Sequence, residues 1–83
     1  MLIMENGKRI QVFFFGKLSE IAGAATTLSN LHNTDELIQH LHTQFPALAN
    51  EKFAVAVNKQ TIHTNTELPD NCTVALLPPF SGG

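Results

Sequence analysis

The chain has 83 residues, with five Lys and Arg against seven Asp and Glu, a net charge near −2, and 43% hydrophobic residues. That length sets one domain; the balance is too apolar for a disordered segment and lacks the basic excess of a nucleic-acid grip. No apolar run is long enough to cross a membrane, and no basic stretch followed by an apolar one reads as a secretory signal, so none is expected. The single cysteine, Cys72, excludes an internal disulfide framework and suits a reducing, cytoplasmic compartment. A domain near this size buries only about 60% of the surface its unfolded chain exposes. It has room for one core and little for a deep cleft, which favours a binding module, a carrier or a subunit over a free-standing enzyme.

Residues 1–9 form an extension without a clear period. Asn6-Gly7 is a turn signal, so the stretch reads as a short hairpin arm or as a frayed end. From Ile10 the pattern sharpens: Ile10, Val12 and Phe14 alternate with Gln11, Phe13 and Phe15, which is strand periodicity. Both faces are apolar at the Phe13–Phe15 end, as in a central strand or one whose second face meets a partner. Gly16 breaks the run. Lys17 to Ala22 reads as a short helix, with Leu18 and Ile21 on one side and Gly23 as a left-handed stop. Ala25 to Asn30, rich in Thr, reads as a strand paired with the first.

Thr34 to Phe45 is the main helix. Asn33 and Glu36 resemble a capping box, and Asp35 and Glu36 suit the positive end of the helix dipole. Leu37, Ile38, Leu41 and Phe45 form one apolar stripe, and Pro46 ends the helix. Phe53, Val55 and Val57 alternate with Ala54 and Ala56 in a further strand. Asn58 to Gln60 reads as a turn, Thr61 to Thr64 as a short returning strand and Asn65 to Asn71 as polar loop. Cys72 to Leu77 is the last strand, with Val74 and Leu76 on one face and Ala75 and Leu77 on the other. One helix must cover one face of a small mixed sheet of about five strands. The order predicts an α+β fold of the β-grasp type over residues 10–77, with a short helix after the first strand and a tail over 78–83.

Chemistry is sparse in the body of the chain. His40 and His42 are two apart on a helix, about 200° around its axis, and cannot converge on one ion. His32 and His63 have no ligand spacing, so no metal site is expected. Cys72 lacks a second cysteine, a helix N-terminus or an adjacent base to activate it, and reads as a sheet or core cysteine. The carboxylates are scattered, no glycine loop has phosphate-cradling spacing, and Lys8-Arg9 reads as a solvated turn.

The ending Pro78-Pro79-Phe80-Ser81-Gly82-Gly83 is different. Two prolines preset an extended chain, and at about 3.1 Å per residue these six residues reach roughly 18 Å. Ser81, Gly82 and Gly83 carry almost no side chain, so such an arm can thread a narrow channel and turn its end toward a reacting group. A free α-carboxylate, with a pKa near 3.5, is a poor electrophile and needs activation, most simply adenylation by ATP. The acyl adenylate can then be attacked by a thiol or persulfide. A carrier used this way needs nothing catalytic in its own body.

From about Ile10 to Gly83 the chain resembles the small subunits of molybdopterin synthases, the ubiquitin-like sulfur carriers of molybdenum cofactor synthesis. The resemblance lies in VFFFGKLSEIAG (12–23), TDELIQHLHTQFP (34–46), VAVN (55–58) and, most specifically, VALLPPFSGG (74–83). It implies that Gly83 is adenylated by an activating enzyme resembling ubiquitin-activating enzymes. A persulfide donor acting through that enzyme would then convert the end to a thiocarboxylate. The charged tail would insert into a large synthase subunit and give its sulfur to cyclic pyranopterin monophosphate, two carriers building one dithiolene. The assembly implied is a heterotetramer with two small subunits on a large-subunit dimer. The chain itself would bind no cofactor, ATP being used by the activating partner.

The chain departs from the family pattern at Ser19, where a basic residue commonly precedes the glutamate, at Lys59, a frequent glycine, and at Asp70-Asn71-Cys72-Thr73, an acidic stretch in the family. The resemblance also points to Phe13, Phe15 and Leu77 as a partner interface, with Phe15, Leu77 and Phe80 in one exposed apolar patch; the alternative is that Phe13 and Phe15 pack beneath a loop of this chain. Three other functions compete: a related carrier for thiamin thiazole or tRNA thiolation, a protein modifier joined to lysines, and a β-grasp interaction module whose tail is never modified. The proline pair argues against a thiamin carrier.

Overall fold

A computed structural model describes residues 9–79. Five strands and two α-helices follow in the order β1 (Arg9–Phe14), α1 (Lys17–Ala22), β2 (Ala25–Ser29), α2 (Thr34–Gln44), β3 (Ala54–Val57), β4 (Gln60–Ile62) and β5 (Cys72–Leu77), with a 3-10 helix, Pro46–Asn50, after α2. The sheet runs β2-β1-β5-β3-β4. β1 and β5 are parallel and every other pair is antiparallel, so the sheet is mixed. This is the β-grasp fold the element order predicts.

Alternation along the strands divides the sheet into two faces. Ile10, Val12 and Phe14 of β1, Leu28 of β2, Val55 and Val57 of β3, and Cys72, Val74 and Leu76 of β5 are buried on one face. There they join one cluster with Leu18 of α1, Leu37 and Leu41 of α2, and Leu48. Each fully buried Leu or Ile contributes on the order of 1.5–3 kcal/mol through removal from water. Phe14 also meets Phe45 edge to face, with ring centroids 6.1 Å apart. The stripe on α2 splits as its spacing requires: Leu37 and Leu41 are buried, while Ile38 and Phe45 flank the cluster.

The main differences from the sequence reading lie at element ends. β1 covers Arg9–Phe14 rather than Ile10–Phe15, because Gly16 turns the chain and Phe15 is the first residue of that turn. β4 is Gln60–Ile62 rather than Thr61–Thr64, because the hairpin turn is only two residues long. Gly23 does not take the left-handed helical conformation: its φ of 88° is positive but comes with ψ of 176°, outside the helical region. At α2, Asn33 accepts from the Glu36 amide at 2.9 Å as a cap should, but the Glu36 carboxylate reaches one residue further back, accepting from the His32 amide at 2.8 Å.

Two segments outside the predicted strands and helices contribute to the core. Pro46 occupies the start of the 3-10 helix, where its missing N–H costs nothing, and this helix buries Leu48. The 65–71 loop buries Leu68 and caps α2 a second time. Asn65 Oδ1 accepts from the Asp35 amide at 2.9 Å, and the Thr66 amide donates to the Oγ1 of buried Thr34, also at 2.9 Å.

The β3–β4 turn carries a testable cost. Asn58 and Lys59 have φ of 49° and 71°, the two positive values of a two-residue hairpin turn closed by the Val57–Gln60 pair. Asn58 suits this conformation and is tied to β5, its side chain accepting from the Thr73 amide at 3.0 Å. Lys59 has no such compensation, and a left-handed conformation costs a side-chain-bearing residue about 1–2 kcal/mol. Lys59→Gly is expected to stabilise the fold by about 0.5–1 kcal/mol, the glycine's greater freedom in the unfolded chain offsetting part of the gain. Urea denaturation reads this as a higher midpoint at an unchanged slope; an unchanged or lower midpoint contradicts it.

Candidate functional site

The face of the sheet opposite the helices is built from the other half of each alternation: Gln11 and Phe13 of β1, Thr73, Ala75 and Leu77 of β5, and Ala54 and Ala56 of β3. In the register, Phe13 lies between Ala25 of β2 and Ala75 of β5, and Leu77 lies opposite Ala54. Small side chains in these positions leave Phe13 half-buried and Leu77 half-buried on a low apolar surface. Phe15, just past the end of β1, is 46% exposed. Its amide still donates to the Leu76 carbonyl at 3.1 Å, so the parallel register runs on and sets Phe15 beside Leu77. The first two tail residues follow directly: Pro78 is half-buried and Pro79 exposed. Phe80, Ser81, Gly82 and Gly83 lie outside the described residues, and with them the expected contribution of Phe80 to the patch.

The turn beside the tail root has its own construction. Phe15 to Leu18 form a tight turn in which the Leu18 amide donates to the Phe15 carbonyl at 3.1 Å. Gly16, first of the two central residues, has φ 57° and ψ −136°, values of a type II′ turn that favour glycine there. Its carbonyl accepts twice from Ser19, from the amide at 3.0 Å and from Oγ at 2.7 Å. A Cβ built at Gly16 would stand 2.8 Å from Pro78 Cγ, closer than real side chains come. In the sequence Gly16 is legible only as the end of a strand; the close approach of Pro78 needs the β1–β5 register.

The other candidates stay apart. His32, His40 and His63 are exposed, and His42 is half-buried with its ring edge-on to Phe53 at 6.4 Å between centroids. Among the described residues no group of three His, Cys, Asp or Glu side chains is placed to hold a metal ion. Cys72 is 2% exposed and faces the core from β5, an interior cysteine of the sheet. No helix of the described residues is long and apolar enough to cross a membrane. What this fold sets at its surface is an apolar sheet face beside the root of a proline-led C-terminal segment.

The sequence profile of the ThiS family matches residues 12–83, from the second residue of the β1 alternation through the final glycine. The chain belongs to the ThiS family. These are ubiquitin-like sulfur carriers, and solved structures agree in fold. The putative molybdopterin converting factor subunit 1 of Pyrococcus furiosus superposes with a TM-score of 0.81 at 19% identity, covering 88% of this chain and 99% of that one. The small archaeal modifier protein 1 of Methanosarcina acetivorans gives 0.77 at 23% identity, covering 95% and 100%. A complex of subunits 1 and 2 of the molybdopterin-converting factor of Helicobacter pylori gives 0.70 at 29% identity, covering 90% and 99%. Pro78 and Pro79 lie at the edge of the apolar sheet face, while Cys72 is buried in the core.

Proposed function

We propose that this ThiS-family chain is the sulfur-carrying small subunit of a molybdopterin synthase, with Gly83 as the point of attachment. The observation that carries the reading is the sequence Pro78-Pro79-Phe80-Ser81-Gly82-Gly83 leaving β5, the central strand of the sheet, beside an open apolar face. A Gly83 carboxylate oxygen attacks the α-phosphate of ATP in an E1-like adenylating enzyme, and pyrophosphate leaves. A persulfide sulfur then attacks the acyl carbon and AMP leaves. Reduction of the resulting acyl disulfide by a second thiol frees the thiocarboxylate. The loaded tail enters the large subunit, where Phe13, Phe15 and Leu77 dock; the thiocarboxylate sulfur bonds to a carbon of cyclic pyranopterin monophosphate as an oxygen substituent leaves, and water then cleaves the acyl–sulfur bond and restores the Gly83 carboxylate. The body of the chain contributes recognition, and no residue of its core takes part in the chemistry. The Helicobacter pylori subunit, found with a second subunit, supports such a partner for this chain.

The acceptor tests the reading. Chain loaded with sulfur is offered, in separate reactions with the cognate partners of each route, a pyranopterin, a thiazole precursor, an unmodified tRNA and a protein bearing accessible lysines. Sulfur transfer to the pyranopterin is expected. Transfer to the thiazole precursor or tRNA alone, or an isopeptide bond to lysine alone, overturns the molybdopterin assignment in favour of a related carrier or a modifier.

A further inference from the structure

The root of the tail is held by a contact that the carrier chemistry does not by itself require. The parallel register that pairs Phe14 with Leu76 brings Gly16 abreast of Pro78, and the absent side chain of Gly16 is what lets the two meet. With a Cβ there, Pro78 would have to retreat by at least about half an ångström to restore ordinary contact. The turn cannot simply yield instead. The Gly16 carbonyl is anchored by both the amide and the hydroxyl of Ser19, and Leu18, next in α1, is 1% exposed in the core.

We propose that the Ser19–Gly16 turn is a positioning device that sets the direction in which the tail leaves the sheet, with Gly16 as the seat for Pro78 and Ser19 as its brace. The leverage comes from stiffness. A proline pair transmits orientation, so a tilt of about 10° at Pro78 displaces the far end of that stiff pair, about 6 Å on, by roughly 1 Å. Misplacement by even an ångström can cost about a hundredfold in a reaction that depends on alignment. The inference rests on the carrier reading for its functional consequence but not for the geometry. It also gives Ser19 a task here: its hydroxyl is spent on the turn of its own chain, at the position where the family pattern commonly has a basic residue.

The experiment uses the full chain in four forms: unchanged, Gly16→Ala, Pro78→Ala and the double variant, with Ser19→Ala as an arm that leaves the turn glycine in place. A spin label on Ser81→Cys, Cys72 being buried, reports tail direction by the backbone amides it broadens. Gly16→Ala is expected to change the set of broadened amides while the amides of β1, β5 and α2 keep their unlabelled positions, and in the Pro78→Ala background it is expected to change nothing further. With an adenylating enzyme, Gly16→Ala is expected to lower kcat/KM about tenfold when Pro78 is present and less than about twofold when it is not, and Ser19→Ala about threefold. Backbone strain at residue 16 would act equally in both backgrounds, so the difference isolates the contact. If Gly16→Ala and Ser19→Ala both leave the broadened set unchanged, the inference is overturned, as it is if Gly16→Ala costs the same factor with and without Pro78. A set that moves in a chain whose unchanged form is never adenylated supports the positioning role and sinks the carrier reading instead.

Discussion

Deleting Gly83 is expected to abolish sulfur transfer and to leave the stability of the domain unchanged. This is the largest effect the account predicts, and it follows from where the chemistry is placed. The described core residues run from Ile10 to Leu76 and a glycine has no side chain to bury, so loss of the last residue is expected to leave that packing in place. The deletion does not remove the carboxylate: it moves it to Gly82, about 3 Å short along an extended chain. A reaction between a threaded end and groups fixed in a partner depends on alignment, and a displacement of that size is expected to cost more than about a hundredfold. Chemical denaturation should give the same midpoint and slope for both chains, while cofactor synthesis reconstituted with the activating enzyme and the large subunit should fall to background. Cofactor formed by the shortened chain at a comparable rate would refute the mechanism.

Phe15→Asp separates recognition from folding. The Phe15 side chain is 46% exposed, whereas its backbone carries the structural bonds, donating to Leu76 and accepting from Leu18. Aspartate preserves those bonds, so stability should stay within about 0.5 kcal/mol. At the proposed docking face the same change puts an unpaired charge where an apolar surface is to be buried, and a central aromatic anchor is worth at least about 2 kcal/mol. Affinity for the large subunit should therefore fall at least about thirtyfold. Calorimetric titration reads the affinity and circular dichroism the fold. Unchanged affinity would remove Phe15 from the interface, and an unfolded variant would mean that Phe15 supports the domain. Phe13→Asp is the informative contrast: Phe13 sits within β1 between two strands, so that substitution should weaken the fold as well as the binding.

Much of this was legible in the sequence because it is written in local patterns. Alternation at Ile10, Val12 and Phe14 and at Cys72, Val74 and Leu76 identifies two strands buried on one face, and the Asn33 cap with the Leu37–Leu41 spacing identifies α2. These signals are independent of tertiary partners. The 3-10 helix and Leu68 were not legible, because a single leucine between alanines or in a short polar loop has no period; each is buried by what lies across from it. The sequence marks Lys59 only as a departure from the family pattern, whereas its positive φ is a consequence of the two-residue turn. At the site, the tail was recognisable from its residues alone. The seat for it was not, since Gly16 and Pro78 are far apart in the chain and meet only through the parallel pairing of the first and last strands. The apolar character of Phe13 and Phe15 was plain, and their unequal exposure came only with the turn that begins at Phe15.

The central claim is that the working group of this protein is the carboxylate of Gly83. Intact mass spectrometry tests it most directly. After incubation of the full chain with an active cognate adenylating enzyme, ATP and a persulfide donor, the mass should rise by the difference between one sulfur and one oxygen. Fragmentation should place that difference on Gly83, and the chain lacking Gly83 should show no such product. An unchanged mass under conditions where the enzyme loads its own established carrier, or a sulfur adduct found on Cys72 instead, would contradict the account.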